Sequence, residues 1–236
     1  MADKNLNELL KWSIENSTSA DGTAPARPPT SLNQEALAQI MGAPSDAELM
    51  KAAMAAITST DPEITLETKL TAFDNLEQLI ESLDNANLLS TLGLWTPLLQ
   101  CLGHEADQLR LMAAWCVGTA VQNNAPCQER LVALGGVEAL VGMALGRRLP
   151  MEKRAGDGDV ITDEGVPPGN DAETKEVRRK AVYALSSAVR NYQPAMDVCT
   201  TELTRQSGET VDKVDATNMD AVDGVINGLK KKVMDA

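Results

Sequence analysis

The chain has 236 residues, a formal net charge of −13 and one histidine, and only 3% of its residues are aromatic. A negative potential of this size repels phosphate backbones and anionic lipids, which argues against a nucleic-acid or membrane-surface role. One imidazole cannot supply both a metal site and a histidine-based catalytic triad, although carboxylate or lysine chemistry stays open.

The cysteines form no CxxC pair, so we expect reduced core residues and no zinc site. They are Cys101, Cys116, Cys127 and Cys199. Residues 1–12 lack the unbroken apolar stretch of a signal peptide, and no apolar run approaches the roughly 20 residues of a membrane span. These features predict a protein of the cytosol or nucleus, and we take a cytoplasmic location as the expectation.

The first elements in the chain are a short helix and a linker. Residues 4–16 carry leucine and isoleucine at helical spacing, which predicts an amphipathic helix. Residues 17–31 contain three prolines and show no periodicity, the composition of a flexible linker. We therefore expect a tethered N-terminal segment at 1–16, followed by the linker.

From residue 34 onward the apolar pattern is almost continuously helical, and no segment has the pattern of a strand. Ser45 and Glu48 form a capping box at the start of one helix. Gly93 is placed to end a helix that begins near Asp84, and Thr96, followed by proline, is placed to cap the next one.

Internal repeats account for most of the remaining chain. Residues 109–126 match residues 177–194 at an offset of 68, with six of 18 positions identical. Residues 92–99 match residues 134–141 at an offset of 42, which is an armadillo or HEAT period. The two offsets differ by 26, the length of a charged segment at 147–172 that we expect to be a disordered loop between repeats.

A third copy of the repeat begins at Lys69, so each unit is predicted as a short helix, a glycine turn, a second helix and a longer third helix. Such units stack and leave a continuous concave surface. The sequence therefore predicts an all-α fold, an armadillo-like right-handed superhelical solenoid of short helical repeats at residues 32–202. A polar segment and a C-terminal helix follow at 203–236. The alternative is a helical bundle with accidental similarity between segments.

Three local patterns could indicate chemistry, but turns and loops explain them better. The tract around Asp157 and Asp159 lacks the later ligands and the glycine of a calcium loop. Gly135-Gly136 has no following Lys-Ser/Thr pair, as a phosphate-binding loop requires. Cys101 alone cannot complete a metal site with His104, so His104 is expected to be a loop or cap residue. We expect no catalytic residue, no metal ligand and no cofactor.

The third helix of each repeat carries a distinctive face, because positions four and seven apart lie on one side of a helix. We call this the third-helix face, and it comprises Asp74, Gln78 and Glu81, then Trp115, Thr119 and Gln122, then Tyr183, Ser187 and Arg190. An aromatic residue followed by polar residues suits a groove for a protein ligand. The alternative is that Trp115 and Tyr183 are core residues, as aromatic residues usually are.

Four motifs in a fixed order resemble a known family. They lie at residues 7–17, 66–87, 118–124 and 183–191. Together they are similar to the armadillo-type nucleotide exchange factors of the 70-kDa heat-shock chaperones, most of all to the fungal cytosolic members. The resemblance extends from residue 5 to about residue 200. Some family members continue the repeats beyond this point, whereas this chain becomes polar.

The resemblance implies a non-enzymatic co-chaperone that binds one lobe of the chaperone's ATPase domain with its concave face. It would promote ADP release, and thereby substrate release, as a monomer in a 1:1 complex. Matching the family motifs places chaperone contacts at Asp84, Asn85, Ala86 and Asn87. Helix geometry adds contacts along the groove at Trp115, Thr119, Gln122, Asn123, Tyr183 and Arg190.

Two other functions compete with this one. An armadillo adaptor that binds a peptide or transport signal would need a repeated Trp-x-x-x-Asn ladder, but Thr119 and Ser187 stand at the asparagine positions. The Arg190 side chain would also repel a basic signal. An enzyme that uses paired carboxylates is the second competitor, and the sequence contains no recognisable convergent pair.

Overall fold

The computed structural model describes residues 44–149, 172–208 and 210–235. The predicted N-terminal segment and linker lie outside these ranges, as do residues 150–171 of the charged insert. The described residues form helices joined by turns, with no strand among them, so the all-α prediction is confirmed. None of these helices is both long and apolar enough to cross a membrane.

The chain divides into two units, residues 1–49 and 50–236. In the described part of the first unit, Ser45 and Glu48 form the predicted capping box at the start of α1 (Asp46–Ile57). The Ser45 amide donates to Glu48 Oε2 at 2.8 Å, and the Glu48 amide donates to Ser45 Oγ at 3.3 Å. These bonds satisfy two of the N–H groups that a helix start leaves without partners.

The second unit contains the other helices, among which the order of two short helices and one long helix occurs twice. They are α2 (Leu66–Ile80), α3 (Leu83–Thr91), α4 (Trp95–Gln100) with a 3₁₀ turn (Cys101–Gly103), α5 (Asp107–Ala120), α6 (Ala125–Ala133), α7 (Gly136–Ala144), α8 (Lys175–Val189), α9 (Gln193–Ser207) and α10 (Met219–Met234). The series α3, α4, α5 and the series α6, α7, α8 reproduce the repeat that the sequence predicts.

Residues in the left-handed backbone region recur at equivalent positions of the repeats. Gly93 after α3 has a φ of 69°, and Gly135 after α6 has a φ of 71°. A Cβ would meet no atom within 4 Å at either site, so the backbone angle itself is what requires glycine. Asn123 after α5 and Asn191 after α8 have φ values of 52° and 56°. Asparagine is the residue that tolerates this region best after glycine.

The long helices pack in succession within the second unit. Helix α5 packs against both α2 and α8, and α10 packs against α8 in turn. In a second series, α6 packs against both α3 and α9. Helix α7 packs against α8 and α9. The long helices and the first short helices therefore contact their equivalents in the neighbouring repeat, which is the packing of stacked repeats. The interface is filled by buried apolar side chains such as Phe73, Leu76, Val117, Leu185 and Ile226.

A buried ion pair fixes the start of α8 to the start of α5. Arg110 binds Glu173 through two bonds, Nε to Oε2 at 2.8 Å and Nη2 to Oε1 at 2.7 Å, and these side chains are 3% and 0% exposed. Arg110 Nη1 also donates to the carbonyls of His104 and Glu105, at 2.7 Å and 2.8 Å. The Glu173 amide donates to the Gly146 carbonyl at 3.0 Å, which joins the residues on either side of the charged insert.

Several local predictions can be compared with the structure. The four cysteines are buried and free, as expected. His104 is a cap residue, as expected: it is the C-cap of the 3₁₀ turn, where its amide donates to the Cys101 carbonyl, and its Nδ1 accepts a hydrogen bond from the Ala106 amide at 3.0 Å. The prediction that Thr96 caps α4 is wrong: α4 begins at Trp95, with Leu94 at the N-cap and no side-chain cap. The Trp95 ring is 1% exposed, so burial in the core, and not a capping hydroxyl, fixes this helix start.

Candidate functional site

The two aromatic residues of the third-helix face lie on neighbouring long helices, Trp115 on α5 and Tyr183 on α8. Trp115 is half-buried and Tyr183 is 37% exposed. The alternative that both are core residues is therefore wrong. Exposed aromatic rings of this size are typical of surfaces that bind other proteins.

Tyr183 lies directly against Gly118 of α5. A Cβ at Gly118 would stand 2.6 Å from Tyr183 Cε1 and 3.1 Å from the Ala184 Cα. Only glycine allows the ring and the backbone of α8 to approach α5 so closely. The glycine thus fixes the position of the Tyr183 ring on the surface between α5 and α8.

The ammonium group of Lys180, on α8, lies close to both aromatic rings. Its Nζ lies 3.5 Å from the centroid of the Trp115 ring and 5.4 Å from the centroid of the Tyr183 ring. Both distances are within the range of a cation–π interaction. Burial lowers the pKa of the Lys180 ammonium, and the negative charge of Glu77 partly offsets this effect.

Glu77 extends the cluster onto α2. It is buried, and its Oε1 accepts a hydrogen bond from Thr119 Oγ1 at 2.7 Å, across 42 positions of sequence or one repeat. Thr119 is therefore a link between α2 and α5 as well as a surface residue. Glu77, Thr119, Trp115, Lys180 and Tyr183 together form what we call the central cluster, which crosses three stacked helices.

Arg190, at the end of α8, is held by α10. One guanidinium nitrogen, Nη2, forms an ion pair with Asp223, and Nη1 donates to Met219 Sδ at 3.4 Å. Its Nε donates to Ser186 Oγ at 3.3 Å. The charge of Arg190 is thus largely neutralised by the neighbouring helix, although about a third of its side chain stays exposed.

Residues 84–87 lie in the first part of α3 and face in two directions. Asp84 and Asn87 are exposed, whereas Asn85 and Ala86 are buried. The side-chain Nδ2 of Asn85 donates to the Leu79 carbonyl at 3.0 Å, which joins α3 to the end of α2. Only Asp84 and Asn87 present side chains to solvent at this stretch.

The remaining predicted residues, Gln122 and Asn123, follow the last turn of α5 and are exposed. On α2, Gln78 Nε2 donates to Asp74 Oδ2 at 3.0 Å, so these two exposed residues pair along their own helix. The described residues contain no group of three or more histidine, cysteine or acidic side chains that could hold a metal ion.

Sequence reasoning missed Lys180 and Glu77. We defined the third-helix face by counting forward from each aromatic residue, whereas Lys180 precedes Tyr183 by three positions, which also places it on the same side of the helix. Glu77 stands one repeat before Thr119, so a comparison of equivalent positions between repeats could have found it.

Comparison with known proteins shows the family. A family model described as nucleotide exchange factor Fes1 matches residues 6–89. The protein from Gibberella zeae named Hsp70 nucleotide exchange factor FES1 is 55% identical over 235 residues, and the match covers 99% of each chain. The chain belongs to the Fes1 family.

Other Fes1 relatives extend this result. The Hsp70 nucleotide exchange factor fes-1 of Neurospora crassa is 46% identical, with 99% of this chain and 100% of that protein covered. The FES1 protein of Saccharomyces cerevisiae is 39% identical over 193 residues, which cover 80% of this chain and 57% of that protein. The resemblance stated from the four motifs is therefore confirmed. Residues 84–87 lie inside the range of the Fes1 family model, and the central cluster lies largely beyond it.

Proposed function

We propose that this chain is an adenyl-nucleotide exchange factor that binds the ATPase domain of a 70-kDa heat-shock chaperone. In this role it promotes release of ADP and thereby release of the chaperone's substrate. Membership of the Fes1 family, through a 55% identical relative matched over nearly its whole length, supports the proposal. The observation in the structure that carries it is the pair of accessible rings, Trp115 and Tyr183, presented side by side on stacked helices.

The mechanism requires no catalytic residue. A protein that binds the open, nucleotide-free ATPase domain more tightly than the ADP-bound form shifts the domain toward the open form. By thermodynamic linkage, ADP and this protein then weaken each other's binding by the same factor. The chain would act without a cofactor, as a cytoplasmic monomer in a 1:1 complex.

The proposed binding surface is the inner side of an armadillo-like right-handed superhelix, lined by the long helices α2, α5 and α8. Its direct contacts are Asp84, Asn87, Trp115, Thr119, Gln122, Asn123, Tyr183 and Arg190. Asn85 and Ala86 would support this surface from behind, because both are buried. Trp and Tyr are enriched among the few residues that provide most of the binding free energy in protein complexes.

Release of labelled ADP from the isolated ATPase domain tests the function. The wild-type protein should accelerate release, and the double variant Trp115→Ala/Tyr183→Ala should lose most of this effect. Met234→Ala is the matched control, since Met234 is also a large, exposed apolar residue (63%) but lies on α10, which does not line the proposed surface. An unchanged rate of ADP release with the wild-type protein would refute the proposed function.

The placement of Arg190 needs a compensated variant. Arg190→Glu alone would set two acidic groups together, because Asp223 is the ion-pair partner of Arg190. The double variant Arg190→Glu/Asp223→Arg keeps a pair of opposite charges while it reverses the charge on α8. Weaker binding of this folded double variant supports the contact, and unaltered affinity counts against it.

The adaptor alternative is not favoured. A basic signal peptide would have to stack its cations on the exposed aromatic rings, yet the chain's own Lys180 ammonium already lies 3.5 Å from the Trp115 ring centroid. A second cation at this position would be repelled.

A further inference from the structure

Lys180 is a cation whose hydrogen-bonding groups have no partner in the described part of the chain. It makes no ion pair with a carboxylate and donates no hydrogen bond to any described residue, although its Nζ is held between two rings. An ammonium group carries three N–H donors, and a ring face accepts them only weakly. Arg178, two positions earlier on the same helix, behaves differently, since it donates to the carbonyls of Ala144 and Lys232.

The position of Lys180 is organised in advance. The Trp115 and Tyr183 rings restrict the flexible four-carbon stem of the lysine, which removes part of the entropy that a free lysine would lose on binding. Gly118 in turn fixes Tyr183, because no Cβ could be accommodated beside that ring. The ammonium is also partly buried, and a charged hydrogen bond is stronger where water is partly excluded.

We propose that Lys180 binds the carboxylate of an aspartate or glutamate on the chaperone's ATPase domain, with Trp115 and Tyr183 acting as the walls of the site. This inference rests on the proposed function and adds a recognition chemistry to it. A carboxylate satisfies the ammonium in both charge and hydrogen bonding.

Glu77 leaves the N–H donors of Lys180 available to a carboxylate of the chaperone. The negative charge of Glu77 acts to raise the pKa of Lys180. The Oε1 atom of Glu77 accepts a hydrogen bond from Thr119, and Glu77 and Lys180 form no ion pair. Glu77 therefore helps to keep Lys180 protonated without occupying its donors. Lys180 also lies in the part of the chain, residues 173–236, where ten acidic and ten basic residues are equal in number, whereas residues 32–146 are strongly acidic. An acidic partner group is repelled least at this end of the surface.

The test measures the affinity of the full chain for the isolated ATPase domain at low and high salt. Lys180→Met keeps an unbranched side chain over Trp115 but removes the charge. We expect binding to weaken about tenfold at low salt, the effect of losing one charged hydrogen bond. The difference from wild type should shrink at high salt, because exposed charges are screened. Lys180→Arg should restore affinity to within about threefold, since a guanidinium also stacks on aromatic rings and binds carboxylates.

Arg179→Met is the matched control, because Arg179 is the exposed neighbour on the same helix and its loss changes the net charge equally. Equal effects of the two variants would show that net charge alone matters and would overturn the proposal. The proposal would also be overturned if the Lys180→Met variant bound the ATPase domain with the same affinity as the wild type. A loss that does not vary with salt would indicate a neutral acceptor in place of a carboxylate. If the wild-type protein accelerates ADP release in these cases, the proposed function stands while this inference fails.

Discussion

Arg110 on α5 and Lys180 on α8 are cations of neighbouring long helices, but they differ in burial and in hydrogen bonding. Arg110 is buried and donates to a carboxylate twice and to two backbone carbonyls. Lys180 is half-buried, lies on two aromatic rings and donates to no described residue. A fully bonded cation joins parts of the fold, whereas a cation that is held in place without a hydrogen-bond partner is suited to bind a ligand.

Removing the carboxylate partner of Arg110 should produce the largest effect. In Glu173→Ala the guanidinium stays buried without its counter-charge, and we expect the free energy of unfolding to fall by about 3–5 kcal/mol. Urea denaturation measures this loss. The double variant Arg110→Met/Glu173→Leu, which removes both charges, should recover most of it. A loss below about 1 kcal/mol in Glu173→Ala would show that the ion pair does not join α5 to α8.

Adding a methyl group at Gly118 should have the next largest effect. The new Cβ would collide with the Tyr183 ring and crowd the Ala184 backbone. We expect Gly118→Ala to lower the free energy of unfolding by about 1–2 kcal/mol, because strain exceeds the gain in helix propensity. It should also weaken chaperone binding, since Tyr183 moves away from Lys180.

Gly224→Ala on α10 is the control for this prediction, because a Cβ there meets no atom within 4 Å. It should raise the free energy of unfolding by about 0.5–1 kcal/mol and leave binding unchanged. If both alanine variants stabilise the protein equally, the close approach of α5 and α8 is not a constraint.

A buried thiol should make the protein less stable in alkaline solution. Burial raises the pKa of Cys199 from 9.0 to about 12. Above pH 9 the thiol ionises in the unfolded chain but not in the folded one, so its contribution to stability is complete below pH 9 and is lost as pH rises toward 12. Between about pH 8 and pH 10 the wild type should lose on the order of 1 kcal/mol more than Cys199→Ala. Parallel stability curves for the two proteins would contradict this expectation.

Loss of the Lys180 charge should have the smallest effect on stability. In Lys180→Met only the cation–π interaction disappears, and we expect a decrease of about 0.5–1 kcal/mol in the free energy of unfolding. The affinity for the chaperone should fall much more. A stability loss as large as that of Glu173→Ala would show that both cations are structural and would remove the contrast between them.

The repeats explain which features could be predicted from the sequence. The turns at Gly93 and Gly135 recur 42 residues apart, and the long helices α5 and α8 recur 68 residues apart because the charged insert lies between them, so each copy supports the other. Ion pairs between distant residues carry no such signal. Arg110 and Glu173 are 63 positions apart, and Arg190 and Asp223 are 33 apart. Only the packing of α5, α8 and α10 brings these partners together.

The site was predicted less completely than the fold. Motif matching selected residues 84–87 as a block, but a helix presents consecutive residues to different sides, and Asn85 and Ala86 face inward. The aromatic residues were found because Trp115 and Tyr183 occupy equivalent repeat positions. The residue equivalent to Lys180 on α5 is Met112, so a comparison of the repeats did not identify Lys180.

Reciprocal binding measurements test whether this protein and ADP oppose each other on the chaperone's ATPase domain. The affinity of this protein for the chaperone's ATPase domain should be measured without nucleotide and with saturating ADP, and the affinity for ADP should be measured without the protein and with saturating protein. We predict that ADP weakens binding of the protein and that the protein weakens binding of ADP by the same factor. If ADP leaves the affinity of this protein for the ATPase domain unchanged, the protein does not act as a nucleotide exchange factor.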